Sequence, residues 1–125
     1  MDKKQLIKRL KNQGFSHRII KAFEKVPREK FVSEDFKEHA YEDIALPLKE
    51  GATISQPYTI AFMLDLLELN RKKEMKILEI GSGCGYVLAL MYEITKGDIF
   101  GIELSKELVL MSGKILRELN YGKIK

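Results

Sequence analysis

Lys76-Ile77-Leu78-Glu79-Ile80-Gly81-Ser82-Gly83-Cys84-Gly85-Tyr86 is the stretch whose reading decides the fold. An apolar run, Ile77 to Ile80, stops at three glycines spaced two apart, and a helix-period segment starts at Tyr86. That order predicts a buried strand, a tight turn and a helix whose N-terminus faces whatever sits over the turn. Glycine there accepts backbone angles that a Cβ would forbid and lets a ligand approach the main chain. The free amides of the first helical turn, at the positive end of the helix dipole, favour a carboxylate or a phosphate.

A dinucleotide fingerprint requires Gly-x-Gly-x-x-Gly. Gly81 and Gly83 satisfy it, but Tyr86 stands at the third position and the last glycine comes one residue early, at Gly85. Glu79 followed by Gly81, Gly83 and Gly85 instead resembles the first motif of S-adenosylmethionine-dependent methyltransferases. Further on, Asp98-Ile99-Phe100-Gly101-Ile102-Glu103 reads as a second strand ending in an acid. A carboxylate at that place can accept hydrogen bonds from both ribose hydroxyls of a nucleoside.

Length and charge narrow the classes. A chain of 125 residues with 45% hydrophobic and 32% charged residues fits one globular domain. No run approaches the ~20 apolar residues of a membrane helix, and no apolar signal core follows Met1-Asp2-Lys3-Lys4-Gln5. A lone cysteine forms no internal disulfide, which predicts a reducing, cytoplasmic setting. The net charge of +4 comes from lysines interleaved with glutamates. Without a basic block or basic strand bearing aromatics, it reads as solvated helix surface rather than a nucleic-acid face.

Reading from the N-terminus, Asp2 to Gln13 puts Leu6, Ile7 and Leu10 on one helical stripe with Gly14 as a stop. Ser16 is placed to cap a second helix with Ile19, Ile20, Phe23 and Val26 on one face, ended by Pro27. Two such short helices must pack on the sheet domain or over a substrate cleft. Ser33 is placed to start a helical turn, and 42–56 is irregular, a length of loop usually tied to function. Pro57 suits the first position of a helix with Ile60, Met63, Leu64 and Leu67 on its buried face, and Asn70 to Glu74 reads as a polar turn. Beyond the glycine turn, Val87, Leu88, Leu90, Met91 and Ile94 predict a helix apolar on most sides, terminated by Gly97. Ser105 then caps a helix carrying Leu108, Ser112, Ile115, Leu116 and Leu119, closed at Asn120-Tyr121-Gly122, and Lys123-Ile124-Lys125 resembles the start of a third strand.

Ser55 precedes a helix, so its plainest reading is a hydroxyl serving backbone donors at a helix start. Four further stretches occur in order: Val26-Pro27-Arg28-Glu29-Lys30-Phe31-Val32; Ala40-Tyr41-Glu42-Asp43 with Leu46-Pro47; Thr53-Ile54-Ser55-Gln56-Pro57-Tyr58; and Leu78 through Tyr86. Together they resemble the N-terminal half of protein-L-isoaspartate (D-aspartate) O-methyltransferases, and the likeness spans essentially the whole chain. It implies an α/β fold: a truncated Rossmann-like methyltransferase fold with an N-terminal helical subdomain, the first two strands and a stub of the third. Residues 1–56 would shape the substrate cleft and 57–125 would form the first half of the methyltransferase domain. It also implies a repair enzyme that moves a methyl group from S-adenosylmethionine to the free carboxyl of an isoaspartyl or D-aspartyl residue in a damaged protein or peptide. By position, Ser55 matches the active-site serine, Gly81, Gly83 and Gly85 the cofactor turn together with Glu79, and Glu103 the ribose acid. No nucleic acid or membrane partner is implied, and another methyl acceptor such as RNA or a small molecule fits the Thr53–Tyr58 loop less well.

That chemistry needs no strong base, because a carboxylate with a pKa near ~4 is already ionised at neutral pH. Alignment carries the catalysis, with effective molarities corresponding to roughly 7–11 kcal/mol. Ser55 then holds the substrate carboxylate by a hydrogen bond and is not a nucleophile. His17 and His39 lie in unrelated helical contexts and read as surface residues. Cys84, where the family commonly has serine, reads as a small tolerated residue, although a helix N-terminus can activate a thiol. One cysteine without histidine partners predicts no metal site. Tyr86 either borders the ligand or packs in the core, and the roles of Tyr41, Glu42 and Asp43 in the cleft loop stay open.

The resemblance also implies more chain: a third strand, an acidic turn on the adenine side and four further strands, in the sheet order 3-2-1-4-5-7-6. This sequence supplies strands 1 and 2 and a stub of 3, so the first strand lacks its strand-4 neighbour. Three expectations follow. The chain is methyltransferase-like but does not methylate alone, or it is a non-catalytic assembly module that forms a homo-oligomer or pairs with a C-terminal partner half, or it has no independent role.

Overall fold

The computed structural model describes residues 1–70 and 74–125. Of the polar turn expected over 70–74, only Asn70 and Glu74 lie within the described residues. The chain opens with helix α1 (Lys3–Asn12). Asp2 caps it by accepting from the Gln5 amide at 2.9 Å, while the Gln5 side chain accepts from the Asp2 amide at 2.8 Å. Gly14, at φ +89°, turns the chain into α2 (His17–Lys25), where the Ser16 hydroxyl receives the Ile19 amide. Their apolar stripes, Leu6, Ile7 and Leu10 on α1 and Ile19, Ile20 and Phe23 on α2, are buried as expected.

Short 3-10 turns at Arg28–Lys30 and Glu34–His39 follow. The stretch expected to be irregular contains a minimal antiparallel pair instead: β1 (Leu46–Pro47) against β2 (Thr53–Ile54), in the register Leu46↔Ile54 and Pro47↔Thr53. Two paired residues per strand are too few to leave a period-two signature in the sequence. Helix α3 (Pro57–Leu66) starts at Pro57 as expected. Its buried face is corrected: Pro57, Ile60, Ala61 and Leu64 are inside, whereas Met63 and Leu67 are 60% and 58% exposed. The observed spacing is one helical stripe, and the two outliers belong to a neighbouring apolar stripe with Phe62 and Leu66.

The second half is one strand–helix–strand unit continued by a helix. β3 (Lys76–Ile80) pairs in parallel with β4 (Asp98–Ile102), in the register Ile77↔Ile99, Leu78↔Phe100, Glu79↔Gly101 and Ile80↔Ile102. The crossover is α4 (Tyr86–Thr95), which ends on Lys96 in the left-handed region at φ +56°, one residue before the expected Gly97. The Gly97 amide donates to the Thr95 hydroxyl, which closes the turn. Leu88, Ala89, Leu90, Met91 and Ile94 are all buried because α4 packs on the sheet on one side and on α2 on the other, with α1 stacked on α2. The two N-terminal helices thus form an outer layer over α4. Helix α5 (Lys106–Glu118) is capped by Ser105, buries Leu108, Ser112 and Leu116, leaves Ile115 and Leu119 partly covered, and is closed by Asn120 at φ +67°.

Lys123–Lys125, expected to start a third strand, form no strand of their own, and only Lys125 bonds to the edge of β4. The Lys125 amide donates to Ile99 O at 3.0 Å, and the Gly101 amide donates to Lys125 O at 2.7 Å. The order across the sheet is therefore Lys125, β4, β3, and β3 has no neighbour on its other edge among the described residues. The face opposite α4 carries Leu78, Ile80, Ile102 and Leu104, all exposed. No helix of the described residues is long and apolar enough to cross a membrane.

Candidate functional site

The glycine turn has the backbone that its sequence demands. Gly81, Gly83 and Gly85 all lie at positive φ, +81°, +56° and +91°, where a side chain would be strained. The amides of Gly81 and Ser82 donate to Ile102 O, and that of Gly85 donates to Ser82 O, which ties the turn to the end of β4. No side chain caps the start of α4.

Glu103 sits at the tip of β4 and turns toward this bend. Its Oε1 accepts from the Gly83 amide at 2.9 Å, and its Oε2 accepts from the Ser105 amide at 2.8 Å. These backbone donors, Ser105 first and Gly83 second, hold its carboxyl below the usual range. The acid expected on the adjoining strand is thus joined directly to the glycine turn. Gly101, which sequence reasoning passed over, makes that approach possible. A Cβ at Gly101 would lie 2.7 Å from Leu88 Cδ1 and 2.9 Å from Ser82 Cβ, so any larger residue would force these side chains, which come from α4 and the turn, to shift. The available signal was a glycine inside an otherwise apolar strand.

Glu79 lies opposite Gly101 in the register. Its Oε1 is buried with no hydrogen-bond partner among the described residues, and burial pushes its carboxyl up to about 7. An orphaned acceptor beside an amide-lined bend is suited to a ligand that brings N–H or O–H donors. Between the turn, β4 and α5 lies a cavity of about 160 Å³ whose lining includes Ser82, Glu103 and Ser112. A small-molecule pocket is typically ~300–1,000 Å³, so this space is part of a wall rather than a whole pocket.

Ser55 is exposed at the end of β2, and it is not a helix cap. Asp43 takes that role: its Oδ1 accepts from the Tyr58 amide at 2.8 Å, and its other oxygen lies 3.6 Å from Arg9. Glu42 pairs with His39 at 2.5 Å, and the Tyr41 hydroxyl donates to the Glu29 carboxylate, so Tyr41, Glu42 and Asp43 each make a contact that anchors this segment, Asp43 to α1 and α3.

The organising side chain is Arg28, a residue that sequence reasoning did not single out. It is fully buried. Its Nε donates to Ala40 O at 2.8 Å, and its Nη2 donates to Ser55 O at 3.1 Å and Ile44 O at 3.3 Å. The guanidinium also lies 5.1 Å from the centre of the Tyr86 ring. Arg28 therefore fastens three points of the 40–55 loop to the first residue of α4, and its Nη1 is left without a partner. Desolvation lowers its pKa. Tyr86 is core: it is buried against Phe23 and Phe31. Leu48 supplies a second link, with its Cδ1 3.8 Å from where a Cβ on Gly83 would stand.

Cys84 is buried, and burial pushes its thiol up to about 11, which makes it packing rather than a nucleophile. His17 and His39 are exposed on the helical layers, away from the turn.

Comparisons with known proteins bear on the family and the fold. A family model described as protein-L-isoaspartate(D-aspartate) O-methyltransferase matches residues 1–125. The protein-L-isoaspartate O-methyltransferase of Methanothrix thermoacetophila is 42% identical over 126 residues, covering 99% of this chain and 59% of that protein. Its counterpart in Thermococcus sibiricus is 40% identical over 119 residues, covering 94% of this chain and 53% of that protein. A solved protein-L-isoaspartate O-methyltransferase superposes with a TM-score of 0.89 at 31% identity, over 98% of this chain and 40% of that one. A Plasmodium falciparum relative, solved in complex with S-adenosyl-L-homocysteine, superposes with a TM-score of 0.76 at 25% identity, over 94% of this chain and 56% of that one. The chain thus spans little more than half the length of these curated relatives. A mixed α/β fold, a family model matched end to end and this agreement with relatives and solved structures establish that the chain belongs to the protein-L-isoaspartate(D-aspartate) O-methyltransferase family.

Proposed function

We propose that the chain carries the cofactor turn and the substrate loop of a methyl transfer from S-adenosylmethionine to the free carboxylate of an isoaspartyl residue in a damaged protein. The observation that carries this reading is the arrangement around Gly83. A left-handed glycine bend at the start of α4 is held by Glu103, and the unpartnered oxygen of Glu79 lies on the neighbouring strand. The donor and acceptor set suits the ligand: the Glu79 carboxylate takes the ammonium of the amino-acid tail, the bend offers its backbone to the tail's carboxylate, and Glu103 takes the ribose hydroxyls.

When bound, S-adenosylmethionine supplies a methyl group activated by positive sulfur. The chain's own task is positioning. The exposed Ser55 hydroxyl donates to the substrate carboxylate, which is ionised at neutral pH and needs no base. Arg28 fixes the main chain of Ser55 through its carbonyl. Apolar neighbours such as Leu48 border the bend and reduce the water around it.

Calorimetric titration of S-adenosylhomocysteine into the purified chain tests the cofactor half of this reading, and radiolabelled methyl transfer to an isoaspartyl peptide tests the rest. Glu103→Ala is expected to weaken binding at least tenfold and Ser55→Ala to leave it unchanged while abolishing transfer. Equal affinity in the wild type and the Glu103 variant would overturn the proposal. A second reading, a non-catalytic module that needs a partner half, is favoured by the small cavity and by the open edge of β3.

A further inference from the structure

We infer that the buried guanidinium of Arg28 is the counter-charge for the substrate carboxylate held at Ser55, and that it makes the site select a carboxylate over a neutral carboxamide. The inference deepens the reading given above and rests on it for the identity of the substrate. It assigns a use to a charge that the architecture of the loop does not need.

Tying a loop to a helix takes donors, not charge. Ala40 O, Ile44 O and Ser55 O accept from Arg28, and neutral donors would serve such acceptors without the cost of burying an ion. Arg28 is fully buried all the same, and a guanidinium keeps its charge across the neutral range. Its Nη1 has no acceptor among the described residues. Buried charges are as a rule paired with opposite ones. The ionisable groups that act on Arg28 are Tyr86, Cys84 and Asp43. Burial raises the first two, so the Tyr86 hydroxyl and the Cys84 thiol stay protonated, and Asp43 is the one anion among the three. Asp43 is already shared: Oδ1 accepts from the Tyr58 amide at 2.8 Å, and Oδ2 lies 3.6 Å from Arg9. Two guanidiniums thus face one carboxylate, and one positive charge is left over.

That surplus lies beneath Ser55. Nη2 of Arg28 is 3.1 Å from Ser55 O, and the Gln56 side chain donates to Asp43 O at 3.1 Å, which draws the Asp43 end of the cluster to the same place. Ser55 itself is exposed. A carboxylate that accepts from its hydroxyl therefore stands within about 10 Å of the guanidinium. At that separation and an effective dielectric of ~20, a unit charge changes the affinity for a carboxylate on the order of tenfold, and that for a neutral carboxamide far less.

Three fluorescein-labelled peptides of one sequence, carrying isoaspartate, isoasparagine or aspartate at the central position, test this by anisotropy with the purified chain. The readout is the ratio of isoaspartyl to isoasparaginyl affinity, because damage to the loop weakens both peptides together and leaves the ratio alone. The ratio is expected to fall about tenfold in Arg28→Met and to be held in Arg28→Lys, which keeps the charge. It is expected to rise in Asp43→Asn, whose amide oxygen still caps α3 while the surplus charge grows. A rise is not an effect of structural damage, and it stands as a test even where the methionine variant fails to fold. A ratio unchanged in Arg28→Met, lowered as far in Arg28→Lys, or not raised in Asp43→Asn overturns this inference alone. Equal affinity for the isoaspartyl and aspartyl peptides, with the Arg28-dependent preference for a carboxylate intact, overturns the repair reading and leaves the inference standing. A wild-type chain that binds none of the three peptides overturns both.

Discussion

Arg28→Met removes the link between the 40–55 loop and α4 while keeping an unbranched apolar stem in its place. Three carbonyls lose their donor: Ala40 O at 2.8 Å, Ser55 O at 3.1 Å and Ile44 O at 3.3 Å. A hydrogen bond to a charged group contributes about 1.5–3 kcal/mol, and a buried carbonyl left unpaired costs about 1–3 kcal/mol. Against this stands the relief of no longer burying a guanidinium whose Nη1 has no partner, a desolvation penalty of several kcal/mol. The contact with Tyr86 adds about 1–2 kcal/mol. The balance is a loss of about 3 kcal/mol, a large share of the ~5–15 kcal/mol that holds a small domain folded. Urea unfolding followed by helical circular dichroism reads this as a lower midpoint at unchanged slope. Arg28→Lys is expected to fall in between, because an ammonium cannot reproduce the planar fork that reaches carbonyls on different segments. Amide exchange should quicken across 40–56 and stay unchanged in α1. A methionine variant within about 1 kcal/mol of the wild type, or a lysine variant indistinguishable from it, would refute the clamp.

Three further outcomes follow from the site. Burial holds the Glu79 carboxyl at about 7 against an ordinary 4.5, so the folded state keeps its proton longer than the unfolded chain does. Its stability contribution is complete below pH 4.5 and is lost as pH rises through 7, by about 3 kcal/mol. Glu79→Gln should flatten that slope in urea midpoints taken from pH 4 to 8, and parallel curves for the two proteins would contradict it. Gly101→Ala forces a Cβ against Leu88 and Ser82 and should lower stability by about 1–3 kcal/mol; an unchanged midpoint would show that the turn has room. Cys84, buried with its thiol pushed up to about 11, should react with an aromatic disulfide reagent at pH 8 at least ~100-fold more slowly in the folded chain than in urea; comparable rates would place it at the surface.

Local rules made much of this fold readable. The cap at Ser16, Pro57 at the start of α3 and the glycine bend each depend on neighbours within a few residues, and each stands where its sequence placed it. What escaped is non-local. Arg28 sits among charged residues and reads as surface, because its burial depends on carbonyls 12, 16 and 27 residues away. Asp43 caps a helix from 15 residues upstream. The faces of α3 were misassigned because it carries two apolar stripes, and composition alone cannot say which one meets the core. Within the site, Glu103 and the glycines were legible as a motif. Gly101 needed the packing of Leu88 and Ser82 before its role was apparent.

The carboxylate of Glu103 has a consequence for selectivity. Each of its oxygens offers two lone pairs. Oε1 shares one with Gly83 and Oε2 shares one with Ser105. One acceptor position per oxygen is left, held at a fixed angle because the carboxylate plane is pinned from both sides. Two neighbouring hydroxyls on a sugar ring match that remaining pair, whereas a 2′-deoxy sugar would leave one of them idle. On the proposed reading of the site, a carboxylate immobilised by its own main chain serves as a gauge for a cis-diol.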